Sequence, residues 1–147
     1  MTLRERLDDD LKKAMKARDE VSLSVIRNIR SVVKNREIDQ KVTLDDAGIC
    51  EVITSLVKQR RDSIRMFGDA GRNELVTKEE GELALLLNFL PAQLTAEEIE
   101  QIVSLAVTAT GAVGMKDMGA LMKVVMPQVT GIADGSLVSR IVKEKLS

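Results

Sequence analysis

The sequence predicts an all-α protein with a break near its middle. Apolar residues recur at helical spacing from one end of the chain to the other. Three Thr-x-x-Glu pairs, which are typical of helix N-termini, precede such segments. The segment PAQLT at residues 91–95 interrupts the pattern, because proline cannot extend a helix. It gives the best boundary between two parts of the chain.

Three amphipathic helices are predicted first. The first follows a capping box of Thr2 and Glu5, and the second begins after Asp19, a residue type that caps helices. The third is predicted to start at Thr43 and to stop at Gly68. Their apolar stripes are Leu3, Leu7, Leu11 and Met15; then Val25, Ile26, Ile29, Val32 and Val33; then Ile49, Ile53, Leu56, Ile64 and Phe67.

A fourth helix is predicted over GELALLLNFL, after a second capping box of Thr77 and Glu80. The segment DAGRNEL before it is predicted to be a turn or one short helix. Because the fourth helix is apolar nearly all round, we expect it to be central and largely buried.

Three further helices are predicted after the break, in a part of the chain that carries fewer charges. Their limits are Thr95 with Glu98 to Gly111, Met115 to Met126 before Pro127, and Asp134 to the C-terminus. Residues 1–94 hold 17 basic and 17 acidic side chains, against 5 and 6 in residues 95–147. We therefore predict two domains, residues 1–92 and 93–147.

Composition excludes several kinds of site. The chain has no His, Trp or Tyr and only 2 Phe, so His-ligated metal sites are excluded and aromatic stacking of RNA bases has almost no platform. A formal net charge of -1 argues against indiscriminate binding of polyanions. No nucleophile–base pair, phosphate loop or metal spacing is present, so we predict no catalytic residue, no metal and no cofactor. The charged N-terminus and the lack of a long apolar run predict a cytoplasmic protein without membrane segments.

Four methionines recur around Gly119 at helical spacing: Met115, Met118, Met122 and Met126. Such a stripe is typical of a core face, and Gly119 would then let a neighbouring helix come close. The alternative is an adaptable groove for a protein partner, because methionine surfaces repack easily.

Basic residues form two ridges at spacing i, i+3, i+7. The ridges are Arg27, Arg30 and Lys34 on the second helix, and Lys58, Arg61 and Arg65 on the third. If the two helices pack as a hairpin, both ridges could face solvent on one side and follow phosphates. The alternative is a solvated face with scattered ion pairs. Asp62, which lies between Lys58 and Arg65 in the sequence, is a candidate partner for such a pair.

Two residues of the third helix have structural interpretations. Arg60 falls within the apolar stripe, so we expect it either to pair at the domain junction with a carboxylate, with Glu79, Glu80 and Glu82 as candidates, or to extend outward to solvent. Cys50 has no His to activate it and is interpreted as a small buried hydrophobe.

The C-terminal segment MKDMGALMKVVMPQVTGIADGSLVSRIVKEKL resembles the tail domain of the B subunit of aspartyl/glutamyl-tRNA amidotransferase. The segments LSVIR, KQRRDSIRMFGDAGRNEL and LLLNFLPAQLTAEEI resemble the free-standing relatives of that tail, the YqeY family. The resemblance covers almost the whole chain. It implies an N-terminal helical hairpin module followed by a small C-terminal helical bundle that is similar to the amidotransferase tail.

The resemblance also implies a function without catalysis, because the amide-forming chemistry of the amidotransferase lies in domains absent here. We expect a module that binds tRNA or a tRNA–enzyme complex through shape and phosphates. The candidate residues in the tail are Lys116, Lys123, Arg140 and Lys143, to which the two ridges could add. Two alternatives stay open: an accessory part of a carbon–nitrogen ligase with glutamine as amido-N-donor, and a protein-interaction scaffold. Amidotransferase or aminoacyl-tRNA synthetase components are the corresponding protein partners.

Overall fold

The structure, a computed structural model, describes residues 1–147 and contains helices but no strand. Seven α-helices and one short 3-10 helix follow one another: α1 (Leu3–Ala17), α2 (Glu20–Gln40), α3 (Asp46–Asp69), α4 (Asn73–Leu87), α5 (Ala96–Thr110), the 3-10 helix (Met115–Asp117), α6 (Met118–Val129) and α7 (Gly135–Leu146). The predicted all-α fold class is confirmed. The chain divides into two compact units, Met1–Leu90 and Pro91–Ser147, called here the N-terminal and C-terminal units.

In the N-terminal unit, α1 packs mainly against α2 and α3 mainly against α4. The Thr2–Glu5 capping box is formed, and the Asp19 carboxylate accepts a hydrogen bond from the Ser22 N–H at the start of α2. The buried core of this unit is Leu3, Leu7, Val25, Ile26, Ile29, Val33, Ile49, Val52, Ile53, Leu56, Val57, Leu86, Phe89 and Leu90. The apolar stripes of α1 and α2 therefore meet α3 and the end of α4 in one core.

The predicted limits of α3 are wrong at both ends. The helix begins at Asp46 rather than Thr43, because the Asp45 carboxylate caps it by accepting from the Gly48 N–H at 2.9 Å. It continues through Gly68, and the left-handed residue in the following turn is Gly71, with φ of +71°. A glycine in the sequence marks a helix end only where the backbone needs a positive φ.

The capping box predicted for α4 is also wrong. The helix starts at Asn73, four residues before Thr77, and its N-cap residue Arg72 makes no side-chain capping bond. Thr77 lies inside the helix, where its hydroxyl donates to the Asn73 carbonyl at 3.1 Å. Because α4 packs along α3, tertiary packing supports a first turn that has no capping signal.

The C-terminal unit is a bundle of α5, α6 and α7, with the 3-10 helix against α6 and α7. The Thr95–Glu98 capping box, the left-handed Gly111 after α5 and the Asp134 cap of α7 are all as predicted. The buried core of this unit is Ile99, Val103, Ala106, Leu121, Val125, Val129, Val138, Ile141, Val142 and Leu146.

Two predictions about α6 are wrong. Met115 lies in the 3-10 helix rather than in α6, and Pro127 lies inside α6, which ends at Val129. Proline removes the N–H that would bond the Lys123 carbonyl. Lys123 and Pro127 are both exposed, so water can reach that side of the helix. Near a helix end, such a loss is tolerated.

Gly119 does not mark a close helix contact. The residue is exposed, and a Cβ atom added to it would have no heavy atom of a neighbouring side chain or element within 4 Å. The predicted close approach of another helix is therefore wrong.

Candidate nucleic-acid interface

The four tail cations predicted to contact tRNA lie on three elements of the C-terminal unit. Lys116 is in the 3-10 helix, Lys123 is in α6, and Arg140 and Lys143 are in α7. All four side chains are exposed. None of them forms a salt bridge or a side-chain hydrogen bond, so their charges are available to an outside anion.

Lys116 and Lys123 are seven residues apart, a spacing that would put them on one side of a continuous helix. The 3-10 turn breaks that helix at Met118, so the spacing of seven residues no longer fixes their relative direction. Arg140 and Lys143, at i and i+3 on α7, do share one face of a regular helix. That face lies outside the buried positions Val138 and Val142.

The basic ridge of α2 is exposed at all three positions, Arg27, Arg30 and Lys34. Its residues line a groove between α1 and α2 of about 540 Å³. Arg30 reaches the Asp8 carboxylate across this groove at 3.5 Å. The other two ridge cations have no anionic partner.

The basic ridge of α3 has different surroundings. Lys58 and Arg65 are exposed, whereas Arg61 is half-buried. The Arg65 guanidinium contacts the Asp62 carboxylate at 3.3 Å, an ion pair within one helix turn. No member of this ridge lines the groove beside α2. The two ridges are therefore not neighbours around that groove.

Sequence interpretation missed three groups that shape the groove: Arg4, Asp8 and Glu37. The Glu37 carboxylate accepts from the Leu44 N–H at 2.8 Å and from the Arg4 guanidinium at 2.6 Å. These hydrogen bonds, mainly the one from Leu44, lower the pKa of Glu37 below its ordinary value and keep the carboxylate ionised. Leu44 lies beyond the end of α2 and Arg4 lies in α1, so helical spacing does not signal either contact.

Three of the four methionines support the core interpretation. Met118, Met122 and Met126 are partly buried and pack against the core of the C-terminal unit. Met115 is 49 % exposed in the 3-10 helix. Leu121 and Val125, rather than the methionines, occupy the centre of the α6 core face. These three methionines therefore border a core.

Arg60 forms the ion pairs expected of it. Its guanidinium lies 3.1 Å from the Glu79 carboxylate and 3.3 Å from that of Glu82, which is the only charged residue buried in the protein. Glu80 is not a partner. The network joins α3 to α4 within the N-terminal unit and so is not a domain-junction contact. Its role is structural.

Cys50 is partly buried and packs against the core of the N-terminal unit. Burial, with a smaller effect from the Asp46 carboxylate, raises the pKa of its thiol. The reactive thiolate is therefore disfavoured, as the sequence interpretation expected.

No three His, Cys, Asp or Glu side chains come together as a metal site. None of the helices combines the length and the apolar character needed to cross a lipid bilayer.

The family model for YqeY-like proteins matches residues 4–146. The chain belongs to the YqeY-like family. The match spans both units, so the resemblance to the YqeY family holds for the chain as a whole.

Curated relatives of this YqeY-like chain are yeast proteins named "Altered inheritance of mitochondria protein 41, mitochondrial". The protein of Lachancea thermotolerans is 40% identical over 95 residues, covering 64% of this chain and 51% of its own. That of Saccharomyces cerevisiae S288c is 37% identical over the same length and coverage. That of Vanderwaltozyma polyspora is 35% identical over 119 residues, covering 76% and 64%. The chain thus spans about half the length of the first of these relatives.

The expected cytoplasmic location is contradicted by these relatives, whose names describe them as mitochondrial. The expectation rested on the charged N-terminus and on the lack of a long apolar run. Neither property distinguishes the cytoplasm from a mitochondrial compartment, because a mitochondrial protein can have both.

Proposed function

We propose that this YqeY-like protein is a non-catalytic module that binds tRNA, alone or in a tRNA–enzyme complex, through the phosphate backbone. One observation carries the proposal. Lys116, Lys123, Arg140 and Lys143 are exposed and unpaired on a unit that resembles the tail of a tRNA amidotransferase. Each cation that neutralises a phosphate releases counterions, so such positions contribute to affinity directly.

Recognition by shape follows from what the chain lacks. With only 2 Phe and neither Trp nor Tyr, it has almost no ring on which to stack an unpaired base. Phe89 is 7% exposed and lies under the Arg6 guanidinium, 4.9 Å from its ring centre, so it is not free for stacking. We therefore expect binding that is indifferent to the anticodon sequence.

The test is tRNA binding measured by fluorescence anisotropy at several salt concentrations. Lys116→Ala with Lys123→Ala should weaken binding and reduce the log–log salt slope by about 0.9 for each duplex phosphate that is no longer neutralised. Lys12→Ala with Lys13→Ala is the matched control, because it removes two exposed lysines from α1, one of them already paired with Asp9 at 3.2 Å.

Two results contradict the proposal: equal weakening of binding in both double variants, and no binding at low salt. The relatives' names make mitochondrial tRNA a suitable ligand for this test. Co-purification with an amidase would instead favour the accessory carbon–nitrogen ligase subunit.

The protein-interaction scaffold needs a different surface from the one first considered, because the methionines pack against the core. Leu105 and Val113 of the C-terminal unit are 72% and 80% exposed and are the apolar side chains that such a partner would cover. If Leu105→Ser with Val113→Ser released a protein partner at high salt, that result would favour the scaffold over RNA binding.

A further inference from the structure

The groove between α1 and α2 is a concave, basic site inside the N-terminal unit. Its volume of about 540 Å³ lies within the range typical of small-molecule sites. Leu7, Val33 and Ile49 form its floor and are only 1–4 % exposed. The other seven residues that line the groove are charged or polar, and six of them are charged.

Charge pairing leaves the groove with a surplus of positive charge. The Arg4 guanidinium and the Glu37 carboxylate neutralise each other at 2.6 Å, and Arg4 also donates to the Leu44 carbonyl. Asp8, the other acidic residue of the groove, is placed against Arg30 at 3.5 Å.

Arg27 and Lys34 remain in the same groove without any anion beside them. Two unneutralised cations facing one concave volume attract an anion more strongly than the same cations on a convex surface, where water screens them.

The three cations of α2 form a row. Positions 27, 30 and 34 span two helical turns, or about 10 Å of rise, and recur on one side of the helix. Arg guanidinium groups match phosphate oxygens with paired hydrogen bonds, and a lysine adds a point charge. The Ser31 hydroxyl, in the same groove, supplies a further donor.

We propose that the α1–α2 groove binds a small molecule that carries two or three adjacent phosphate groups, held by Arg27, Arg30 and Lys34. No aromatic side chain lines the groove, so the phosphate chain, and not a stacked base, is recognised. The Asp8 carboxylate competes with the ligand for Arg30. This site does not depend on the tRNA-binding function proposed for the C-terminal unit.

The probe is inorganic tripolyphosphate, titrated into the full chain by isothermal calorimetry, with backbone amide shifts followed by NMR. We expect one saturable site whose shifts centre on residues 27–34. Replacing Arg27 and Lys34 together by Gln should weaken binding by about tenfold or more, since a hydrogen bond to a charged group contributes that much. Both side chains are exposed, so the fold should survive, and circular dichroism checks this.

The matched control is Lys58→Gln with Arg65→Gln, two exposed cations at the same spacing on α3 that do not line the groove. This variant should bind within about twofold of the unchanged protein. Asp8→Asn gives the opposite sign: it removes the competing carboxylate of a surface ion pair and should tighten binding about two- to fivefold.

Three outcomes overturn the proposal. Binding that is absent or does not saturate removes the site. Equal weakening by the α2 and α3 double variants shows that only overall charge matters. Shifts at residues 27–34 with a short RNA duplex but not with tripolyphosphate make the groove part of a nucleic-acid-binding surface.

The tests of the two sites are independent. If Lys116→Ala with Lys123→Ala abolishes tRNA binding and leaves tripolyphosphate binding unchanged, both sites stand. Failure of the tRNA test alone leaves the proposal for the α1–α2 groove intact.

Discussion

The two units differ in how their basic side chains are paired. In the N-terminal unit several of them have carboxylate partners: pairs such as Arg4–Glu37, Arg60–Glu82 and Arg65–Asp62 link or brace its helices, whereas others, such as Arg27 and Lys34, have none. In the C-terminal unit charge is sparse, yet its four candidate cations are unpaired. The number of basic residues is therefore a poor guide to phosphate binding. What matters is which of them lack a carboxylate of their own.

The largest expected effect tests whether the ion pairs of the N-terminal unit stabilise its fold. Arg60→Ala leaves the carboxylates of Glu79 and the buried Glu82 close together without their shared cation. We expect the free energy of unfolding to fall by about 2 kcal/mol. This is less than the loss typical of a fully buried pair, because the side chain of Arg60 is 26% exposed. Urea denaturation followed by circular dichroism measures it.

Lys123→Ala is the control from the other unit. Its side chain is exposed and unpaired, so stability should change by less than about 0.5 kcal/mol. Similar losses in both variants would contradict the view that the Arg60 network is structural and that the exposed cations of the C-terminal unit are available for binding.

A second prediction concerns pH and Glu37. Its pKa is lowered in the folded protein, so its contribution to stability is complete above the unfolded pKa, about 4.3, and is lost as pH falls through the folded value. Glu37→Gln should remove that part of the acid dependence and destabilise the protein less than Arg60→Ala does.

Thermal unfolding of the unchanged protein and of Glu37→Gln between pH 3 and 7 makes the comparison. The Leu44 N–H and the Arg4 guanidinium still have an amide oxygen to bond, but a neutral one. Parallel pH profiles for the two proteins would show that Glu37 has the same pKa folded and unfolded.

The sequence predicted helix existence better than helix limits. Capping boxes at Thr2 and Thr95 are real because each precedes an apolar stripe directly, whereas the one at Thr77 lies inside α4, whose first turn is supported by packing on α3. Local spacing cannot report such support. It also cannot show that Asp8 and Glu37 border the basic ridge of α2, because these contacts join different helices or bridge a loop.

A third prediction reverses an expectation of the sequence. Gly119 has open space where a Cβ would lie, and its φ is not positive, so Gly119→Ala should stabilise α6 by a few tenths of a kcal/mol. Gly81→Ala, in the middle of α4 and equally open, should gain more, about 0.5–1 kcal/mol.

Gly111→Ala is the contrasting control, because its φ of +71° is strained for any side chain. Melting temperatures of the three variants under identical conditions give the order. Destabilisation by Gly119→Ala would mean that another surface covers this helix in solution, as a protein partner or a second copy would.

The smallest expected effect is at Cys50. The thiol packs at the edge of the N-terminal core, and its pKa is raised mainly by burial, so the thiolate is scarce near neutral pH. Native protein should react with a thiol reagent at least about tenfold more slowly than urea-unfolded protein, since an opening cost of about 1.4 kcal/mol is sufficient for that ratio. Cys50→Ser should cost little stability, because a partly buried hydroxyl can still reach water.

The rate at which Cys50 is labelled also sharpens the comparison of the two units. In the Arg60→Ala variant the packing of α4 on α3 is loosened, so labelling of Cys50 should be faster. In the Lys123→Ala variant it should be unchanged. Equal labelling rates in these two backgrounds would show that the ion pairs of α3 and α4 do not control how often the N-terminal core opens.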